Sequence, residues 1–491
     1  MKTSKLEEIL GIDFPQECKI SSVTNTSKKI KKGSIFFGLQ GTNEHGSNYA
    51  LEALDIGASF VVHNDKNLQT NNKRIFYIEN LENKIIKFLD SFYGININNN
   101  NFFAFTGTNG KTSSAFLSHQ LLTSMRYESI YIGTIGVKHN NKELETTFIS
   151  NTTPDIFELY EIVNSFDIGI GSLNICIELS SHALDQQRLK GIDYFKSAAI
   201  LNIENDHLDY HGNINSYKEA KFQIFKTNSL VRLIQEDLVR YKNEFKFLDN
   251  DNHKLISISS NNNSADIFFK IIDISIKEAE FCIHVNNSPQ GEEYKKGKKY
   301  QFKCNLFPEF NITNLIFSIC SIGLNKFSEN VINDLSFLKL PTGRSEFIED
   351  ISANVIVDYA HNEHAIEFFL NSIGKYFDNL IVVFGCGGNR DKEKRSKMLK
   401  NAIDASSKVI FTSDNVRNET FEKIFDDAKK GNRLDKVISI KDRKEAIIQG
   451  SKMITDKDCL VILGKGHEQY QEISGSLINY SDFEVIDEIY S

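Results

Sequence analysis

Seven consecutive residues, Thr106 to Thr112 (TGTNGKT), combine two glycines, a lysine and three hydroxyls in an order suited to holding phosphate. Gly107 and Gly110 let backbone N–H groups approach phosphate oxygens, and a helix N-terminus directly after them favours an anion. Lys111 reaches the terminal phosphates of a nucleotide, and the Thr112 hydroxyl can bind Mg²⁺. The spacing is shorter than the usual P-loop, because five residues before Gly110 stands Phe105 where a glycine is expected.

Three further clusters carry chemistry. In IELSSHALDQQRL (177–189), Glu178 ends an apolar run, where an unpaired carboxylate is costly; it calls for a partner such as a metal, unless it is an ordinary loop carboxylate. Ser180, Gln186 and Arg188 suit an anionic, hydroxyl-rich ligand. In NIENDHLDYHGNINSYKEAKFQIF (202–225), His207 and Lys221 are each, taken alone, an ordinary polar histidine and a solvated helix lysine. The last group, DYAHNEHA, FGCGGNRDKEKR, SDNVRNE and GKGHEQYQ, places glycines, arginines and acids directly after four apolar runs. In a parallel sheet these polar clusters converge at one edge.

The elements that must position these residues are those of an α/β protein. SIFFGL and ASFVVHN read as strands around the helical NYALEALDIGA, and the Asn-rich YGININNNNFF (93–103) reads as a linker. FFAFT, the glycine loop and TSSAFLSHQLLTSM then form strand, loop and helix. LNICIEL and SAAILNI are continuous apolar runs, as in a parallel sheet covered on both faces, with a β-rich insertion near 255–305. Pro341 and Gly343 punctuate a second boundary, after which NVIVDYA, NLIVVFG, KVIFTSD and CLVILGKG alternate with helical stretches. At 491 residues the chain has room for about three domains, expected at 1–98, 99–338 and 339–491.

Composition narrows the function classes. A net charge of −8 supplies no global excess of positive charge to drive nucleic-acid binding. No apolar run is long enough to span a bilayer and the start lacks a signal peptide, so a cytoplasmic protein is expected. The 7 cysteines form no CxxC pair, which points to reduced, mostly buried thiols rather than a disulfide framework or zinc site.

Taken together, TGTNGKT, SNTTPD, ELSSH, NDHLDYHG, YKEAK, GRSE, DYAH, FGCGGNRDK, SDNVR and GKGHE resemble the Mur ligase family, in family order and over essentially the whole chain. The short glycine loop is that family's own pattern. Within the family, the last three motifs resemble the MurE type. The resemblance implies three α/β domains: a small N-terminal one for a uridine nucleotide, a central P-loop-like ATPase and a C-terminal Rossmann-like domain for an amino acid. It implies that ATP phosphorylates the D-glutamate γ-carboxylate of UDP-MurNAc-L-Ala-D-Glu and that an incoming amine attacks the acyl phosphate.

The resemblance also implies residue roles. Catalysis falls to Lys111, Glu178, His207, Lys221 and Arg344, and ATP to Gly107, Thr108, Asn109, Gly110, Lys111, Thr112, Ser113, Asn311, Asn314, Arg344, Asp358 and His361. One Mg²⁺ falls to Thr112 and Glu178 and a second to His207 and Lys221, the lysine carrying CO₂ as a carbamate; an orienting or water-mediated role is the alternative for His207. The muramoyl-dipeptide falls to Asn151, Thr152, Thr153, Ser180, Gln186 and Arg188, with uridine contacts at Asn25, Ser27, Thr42 and Asn43. Thr26-Ser27-Lys28 and His45-Gly46 stand where the family usually has Asp-Ser-Arg and Asp-Gly.

The amine site implied is Arg390, Asp414, Asn415, Val416, Arg417, Gly464 and Glu468. The family's diaminopimelate enzymes carry Asp-Asn-Pro-Arg where this chain has Val416 in place of proline. Arg417 can hold a second carboxylate bidentately, which meso-diaminopimelate has and L-lysine lacks, so diaminopimelate is expected and lysine is the alternative. Small-molecule substrates, no nucleic acid, no membrane span and a monomer complete the expectation. A catalytically silent nucleotide-binding regulator of the same fold is the rival class.

Overall fold

In a computed structural model of the chain, the structure describes residues 3–14, 20–41, 44–140, 142–143, 152–166, 172–245, 255–287, 294–328 and 332–491. The chain divides into two compact units, residues 1–108 with 122–255 and residues 109–121 with 256–491. Among the described residues no helix is long and apolar enough to cross a membrane.

The first unit contains two sheets. Ser22–Thr24, Ser34–Gly38, Ala58–His63 and Ile75–Tyr77 pair in parallel and in chain order. Ser34–Gly38 is buried along its whole length. Its Phe37 meets Phe88 of helix Ile85–Tyr93 and Phe157 of helix Ile156–Asn164, each at 5.1 Å between ring centroids. One core thereby serves the small sheet and the helices beside it.

The second sheet sets five parallel strands in the order Asn228–Gln235, Tyr194–Ile200, Asn101–Thr106, Asn174–Glu178 and Ser129–Gly133. Gly136–His139 turns back antiparallel to the last of them. Ile200 stands opposite Thr106, and Phe105 opposite Glu178. The chain therefore leaves Thr106, Glu178 and Ile200 at one edge, where open parallel sheets place their ligands.

The stretch read as a linker is more ordered than its composition implied. Ile97 is fully buried, the strand starts at Asn101, and Asn100 accepts the Leu173 amide at 3.0 Å.

In the second unit the loop's helix, Lys111–Ser124, contributes residues 111–121. Ser318 Oγ of helix Glu309–Ile322 donates to Ser114 O at 2.8 Å, and Ser114 Oγ donates to Asn314 O at 3.3 Å. The β-rich insertion is present: Ile267–Ile274, Ala279–Val285 and Lys299–Cys304 pair antiparallel in that order.

The C-terminal sheet runs in the order Glu346–Phe347, Val355–Asp358, Cys459–Leu463, Leu380–Phe384, Lys408–Phe411 and Val437–Ser439. Only the first pairing is antiparallel. Four of these strands are the four apolar runs seen in the sequence; Glu346–Phe347 and Val437–Ser439 are short additions at the edges. Successive residues point to opposite faces. Ile356, Val382, Val409 and Val461 join one core, while Val357, Val383, Ile410 and Ile462 join another. That two-sided burial is why the runs are apolar throughout.

Among the described residues six cysteines are free thiols, and all but Cys282 are buried.

A buried ion pair ties the second of these cores to the end of a central strand. Arg443 donates Nε to Asp482 Oδ1 at 2.8 Å, and Nη2 to Asp482 Oδ2 at 2.7 Å and to Leu463 O at 3.0 Å. Both side chains are 0% exposed. Removing one partner leaves the other charge buried and alone, which typically costs about 3–5 kcal/mol. Asp482→Ala is expected to lower unfolding stability by about that amount, read from the urea midpoint; a loss below about 1 kcal/mol would contradict a dry, coupled pair.

Candidate active site

On the first unit the candidate residues gather around two strand ends. Glu178, the last residue of its strand, is fully buried and hydrogen-bonded by neutral groups. Tyr131 Oη donates to Oε1, the Thr134 amide donates to Oε1 at 2.8 Å, and Thr134 Oγ1 to Oε2 at 3.2 Å. Tyr131 and Thr134 were not singled out in the sequence; the one sign of them was a tyrosine inside the apolar run SIYIG and a threonine directly after it.

Thr153 is a hub beside Glu178. Its hydroxyl donates to Glu178 O at 2.7 Å and accepts the Ser180 amide at 3.0 Å, while its carbonyl accepts Arg188 Nη1 at 2.9 Å. Arg188 Nε donates to Gln186 Oε1 at 2.9 Å, and Gln186 Nε2 to Tyr210 Oη at 3.2 Å. The Thr152 and Thr134 hydroxyls lie 3.3 Å apart, within hydrogen-bond distance. Five expected dipeptide contacts, Thr152, Thr153, Ser180, Gln186 and Arg188, therefore belong to one connected network. Ser180 also caps its short helix, its hydroxyl accepting the Ala183 amide at 3.1 Å.

Lys221 differs most from the sequence expectation for an isolated lysine. On helix Ile214–Phe222 it is 1% exposed, and its Nζ donates to Gly107 O at 2.7 Å. The Tyr217 ring lies under the same nitrogen at 4.5 Å. Tyr217 Oη in turn pairs with Thr108 Oγ1 at 3.1 Å, and the Thr108 amide donates to Asn202 O at 3.1 Å. The helix thus holds the first half of the glycine loop from below.

His207 takes a left-handed φ of 51° and leaves its side chain 51% exposed, 3.5 Å from Asp206. Its ring meets His182 edge-on at 4.9 Å. Burial pushes the His182 ring pKa down, and Arg188 adds to the shift.

Asn25 donates Nδ2 at 2.9 Å to Asp155 Oδ2, an acid whose charge also acts on Arg188, and Ser27 opens the single turn Ser27–Lys29. Thr42, Asn43 and Asn151 lie outside the described residues.

On the second unit, Gly110 adopts φ +85°, a left-handed conformation favourable to glycine, and the helix begins at Lys111. Ser114 N donates back to Gly110 O at 2.9 Å. Thr112 and Ser113 are buried, and Asn109 and Lys111 half-buried. Asn311 and Asn314 are buried on one helix, Asn314 Nδ2 donating to Asn311 Oδ1 at 3.1 Å.

The other candidates occupy the loops at the parallel edge of the C-terminal sheet. Asp358 accepts the Ser345 and Ala360 amides, each at 2.7 Å, and burial pushes its carboxyl pKa up against the pull of Arg344. Arg344 stacks over Tyr359 at 4.3 Å, its buried Nε without a protein partner among the described residues. His361 is exposed, Nδ1 2.8 Å from Tyr359 O.

Asp414, Asn415 and Val416 are buried, and Arg417 takes a left-handed φ of +50°. Asn415 Nδ2 donates to Glu468 Oε2 at 2.9 Å, and fully buried Lys465 donates to Asn415 Oδ1 at 3.1 Å and to Glu468 Oε2 at 2.9 Å. Arg417 Nη1 donates to Gly388 O at 2.9 Å, and its Nε lies 2.9 Å from Glu472 Oε2. A Cβ on Gly464 would stand 2.7 Å from Asp414 Oδ2, so two of the expected amine-site loops abut. Arg390 is exposed, near Gly387. Sequence inspection missed Lys465 and Glu472; GKGHE signals the first, and nothing in the sequence marks the second.

A family model described as the Mur ligase middle domain matches residues 105–322, and one described as Mur ligase, glutamate ligase domain, matches 343–466. The UDP-N-acetylmuramoyl-L-alanyl-D-glutamate--2,6-diaminopimelate ligase of Aquifex aeolicus (strain VF5) is 33% identical over 478 residues, 96% of this chain and 94% of that protein. The chain belongs to the Mur ligase family. A ligase of the same name from Clostridium perfringens (strain 13 / Type A) is 30% identical, covering 98% of both chains. A solved structure of such a ligase is 28% identical with a TM-score of 0.63 over 98% of each chain. The MurF ligase of Thermotoga maritima in complex with ADP, 17% identical with a TM-score of 0.61 over 95% of this chain and 96% of that one, shares the fold.

As a Mur ligase this chain is an ATP-dependent ligase, and its GKGHE loop makes a pH-dependent contribution to stability. Burial, with Arg344 and Lys465 nearby, pushes the His467 ring down to about 4 from 6.5. The folded ring stays neutral where the unfolded one takes a proton, so stability is held above about pH 6.5 and lost as pH falls toward about 4. His467→Asn is expected to flatten the fall in urea midpoint over that window; an unchanged slope would show that other groups carry it.

Proposed function

We propose that this Mur ligase adds meso-2,6-diaminopimelate to the D-Glu γ-carboxylate of UDP-MurNAc-L-Ala-D-Glu, in peptidoglycan precursor synthesis. The observation that carries the amine assignment is Arg417: its guanidinium is held by the Gly388 carbonyl and already pairs with a carboxylate, that of Glu472. Such a group suits a second carboxylate at the far end of the incoming amino acid, which lysine lacks. The amine site would comprise Arg390, Asp414, Asn415, Val416, Arg417, Gly464 and Glu468. The names carried by the relatives from Aquifex aeolicus and Clostridium perfringens support the same substrate pair.

The reaction runs in two displacements. A γ-carboxylate oxygen attacks the γ-phosphorus of ATP and ADP leaves; the free amine then attacks the acyl carbon, phosphate departs with the former carboxylate oxygen, and the nitrogen gives up a proton. Lys111 and Arg344 offset the charge that builds as two anions approach. Gly107 to Ser113, Asn311, Asn314, Asp358 and His361 hold the nucleotide. Thr152, Thr153, Ser180, Gln186 and Arg188, with Asn151, orient the dipeptide, and Asn25, Ser27, Thr42 and Asn43 are assigned to the uridine end.

Mg²⁺ fits the donor set on the first unit. Glu178 offers hard oxygen, and a carbamate on Lys221 would keep one N–H for Gly107 O while adding two anionic oxygens. Among the described residues no three His, Cys, Asp or Glu side chains group to hold a metal by themselves, so the carbamate and hydroxyl donors matter to this assignment. One ion is assigned to Thr112 and Glu178 and a second to His207 and carbamylated Lys221; when bound, they would supply charge neutralisation for phosphoryl transfer. The reading includes a cytoplasmic monomer built of domains 1–98, 99–338 and 339–491.

Two measurements test it. Phosphate release is expected only when ATP, UDP-MurNAc-L-Ala-D-Glu and meso-diaminopimelate are all present, with diaminopimelate preferred over L-lysine in direct competition; background release with all three would leave a silent regulator, and lysine preference would reassign the amine. Lys221→Ala is expected to lower kcat on the order of 10²-fold or more, since it removes a fixed electrostatic partner of the reaction. Activity near that of the unaltered chain would exclude an essential carbamate.

A further inference from the structure

Two loops of the C-terminal sheet, those after Leu380–Phe384 and Lys408–Phe411, are joined below the surface by an ion pair that the reaction scheme does not use. Arg395, on helix Glu393–Asp404, has its side chain 2% exposed and that of Glu419 is 10% exposed. The guanidinium takes Glu419 in both arms, Nη2 to Oε1 at 2.7 Å and Nη1 to Oε2 at 3.1 Å. Nη1 also reaches Asp427 at 3.0 Å, and Nη2 donates to Gly387 O at 3.1 Å. Glu419 Oε1 in turn accepts the Asn389 amide at 2.6 Å. The hydrogen bonds from Arg395 hold the Glu419 carboxyl down to about 2, so the pair remains charged at neutral pH.

The consequence lies between the two anchored residues. Gly387 and Asn389 are each fixed by the pair, and the carbonyl between them, Gly388 O, accepts Arg417 Nη1 at 2.9 Å. The Gly388 amide donates to Asn415 O at 2.9 Å. A Cβ on Gly388 would strike Val416 O and stand 2.7 Å from Val416 C, so only glycine lets these loops lie this close. The ion pair anchors the loop on either side of one carbonyl, and that carbonyl is, with Glu472, one of two anchors on the Arg417 guanidinium.

We propose that Arg395 and Glu419 are positioning residues for amine recognition, aiming Arg417 through the Gly388 carbonyl. The inference rests on the reading that Arg417 receives the distal carboxylate of the amino acid. Neither residue is among those assigned to the amine site itself. Their effect is on the selectivity of the site rather than on the phosphoryl step.

Three variants of the full chain, Glu419→Ala, Glu419→Gln and Arg395→Met, test this through two readouts. In hydrogen exchange without ligand, Glu419→Ala is expected to speed exchange of 386–391 while strands Leu380–Phe384 and Lys408–Phe411 stay protected. In kinetics, it should raise KM for diaminopimelate about tenfold or more, leaving kcat and KM for ATP within about twofold. Glu419→Gln keeps an acceptor for Asn389 and should fall between Glu419→Ala and the unaltered chain; it carries the same test should the alanine variant or Arg395→Met fail to fold. Unchanged amine KM in a folded variant, or a uniform fall in kcat and all affinities together with stability, would overturn the proposal. If the unaltered chain prefers lysine, the amine assignment fails by itself; KM for lysine and exchange of 386–391 then judge the clamp, and no change in either overturns it.

Discussion

Parallel pairing obliges every strand in a sheet to release its chain at the same edge, and most of the chemistry of this protein is collected by that constraint. Asp358, the Gly385–Arg390 segment, the Thr412–Arg417 turn and Gly464–Glu468 are far apart in sequence, yet each follows the end of a strand in one parallel set. The five-stranded parallel sheet of the first unit does the same for the loops after Thr106, Glu178 and Ile200. The strands can be almost wholly apolar because both faces are covered, and polar residues are concentrated where the strands stop. Family members with the same sheets can vary substrate by altering loops while leaving the cores alone.

At the loop ends, charge is held by networks rather than by isolated contacts. Glu178 is buried among a tyrosine, a threonine hydroxyl and an amide, all donors, so a carboxylate is tolerated at the end of an apolar strand. Lys465 is fully buried between Asn415 and Glu468. Arg443 and Asp482 fix the strand from which the Lys465 loop departs. Each network restricts a side chain or strand end before any ligand arrives, which is how a site lowers the ordering cost of recognition.

The strands were legible in the sequence because two-sided burial writes itself as an unbroken apolar run, as in LNICIEL and CLVILGKG. The glycine loop was legible because its residue types answer directly to phosphate. Lys221 was not: on a helix with buried Tyr217, Ala220 and Phe222, nothing local separates a lysine turned inward from one turned outward. The Asn-rich segment around 97–101 misled in the opposite sense. Asn96, Asn100 and Asn101 make specific bonds, to the Asn98 amide, the Leu173 amide and Asn174, that composition alone cannot distinguish from a polar tether. Glu472 and the Arg395–Glu419 pair depend on contacts across loops, and such pairings leave no periodic trace.

The carboxylate of Glu472 already pairs with Arg417, and that bears on the energetics of the amine recognition proposed for this side chain. On the proposed reading, a ligand carboxylate that displaced Glu472 from Arg417 would exchange one anion for another and release Glu472, at 31% side-chain exposure, toward water. The net electrostatic gain is then the small difference between two similar pairs, so affinity is restrained while geometry is not. A ligand of the wrong reach gains nothing that the protein does not already possess. Selectivity of this kind would come from competition with an internal mimic, the Glu472 carboxylate already on Arg417.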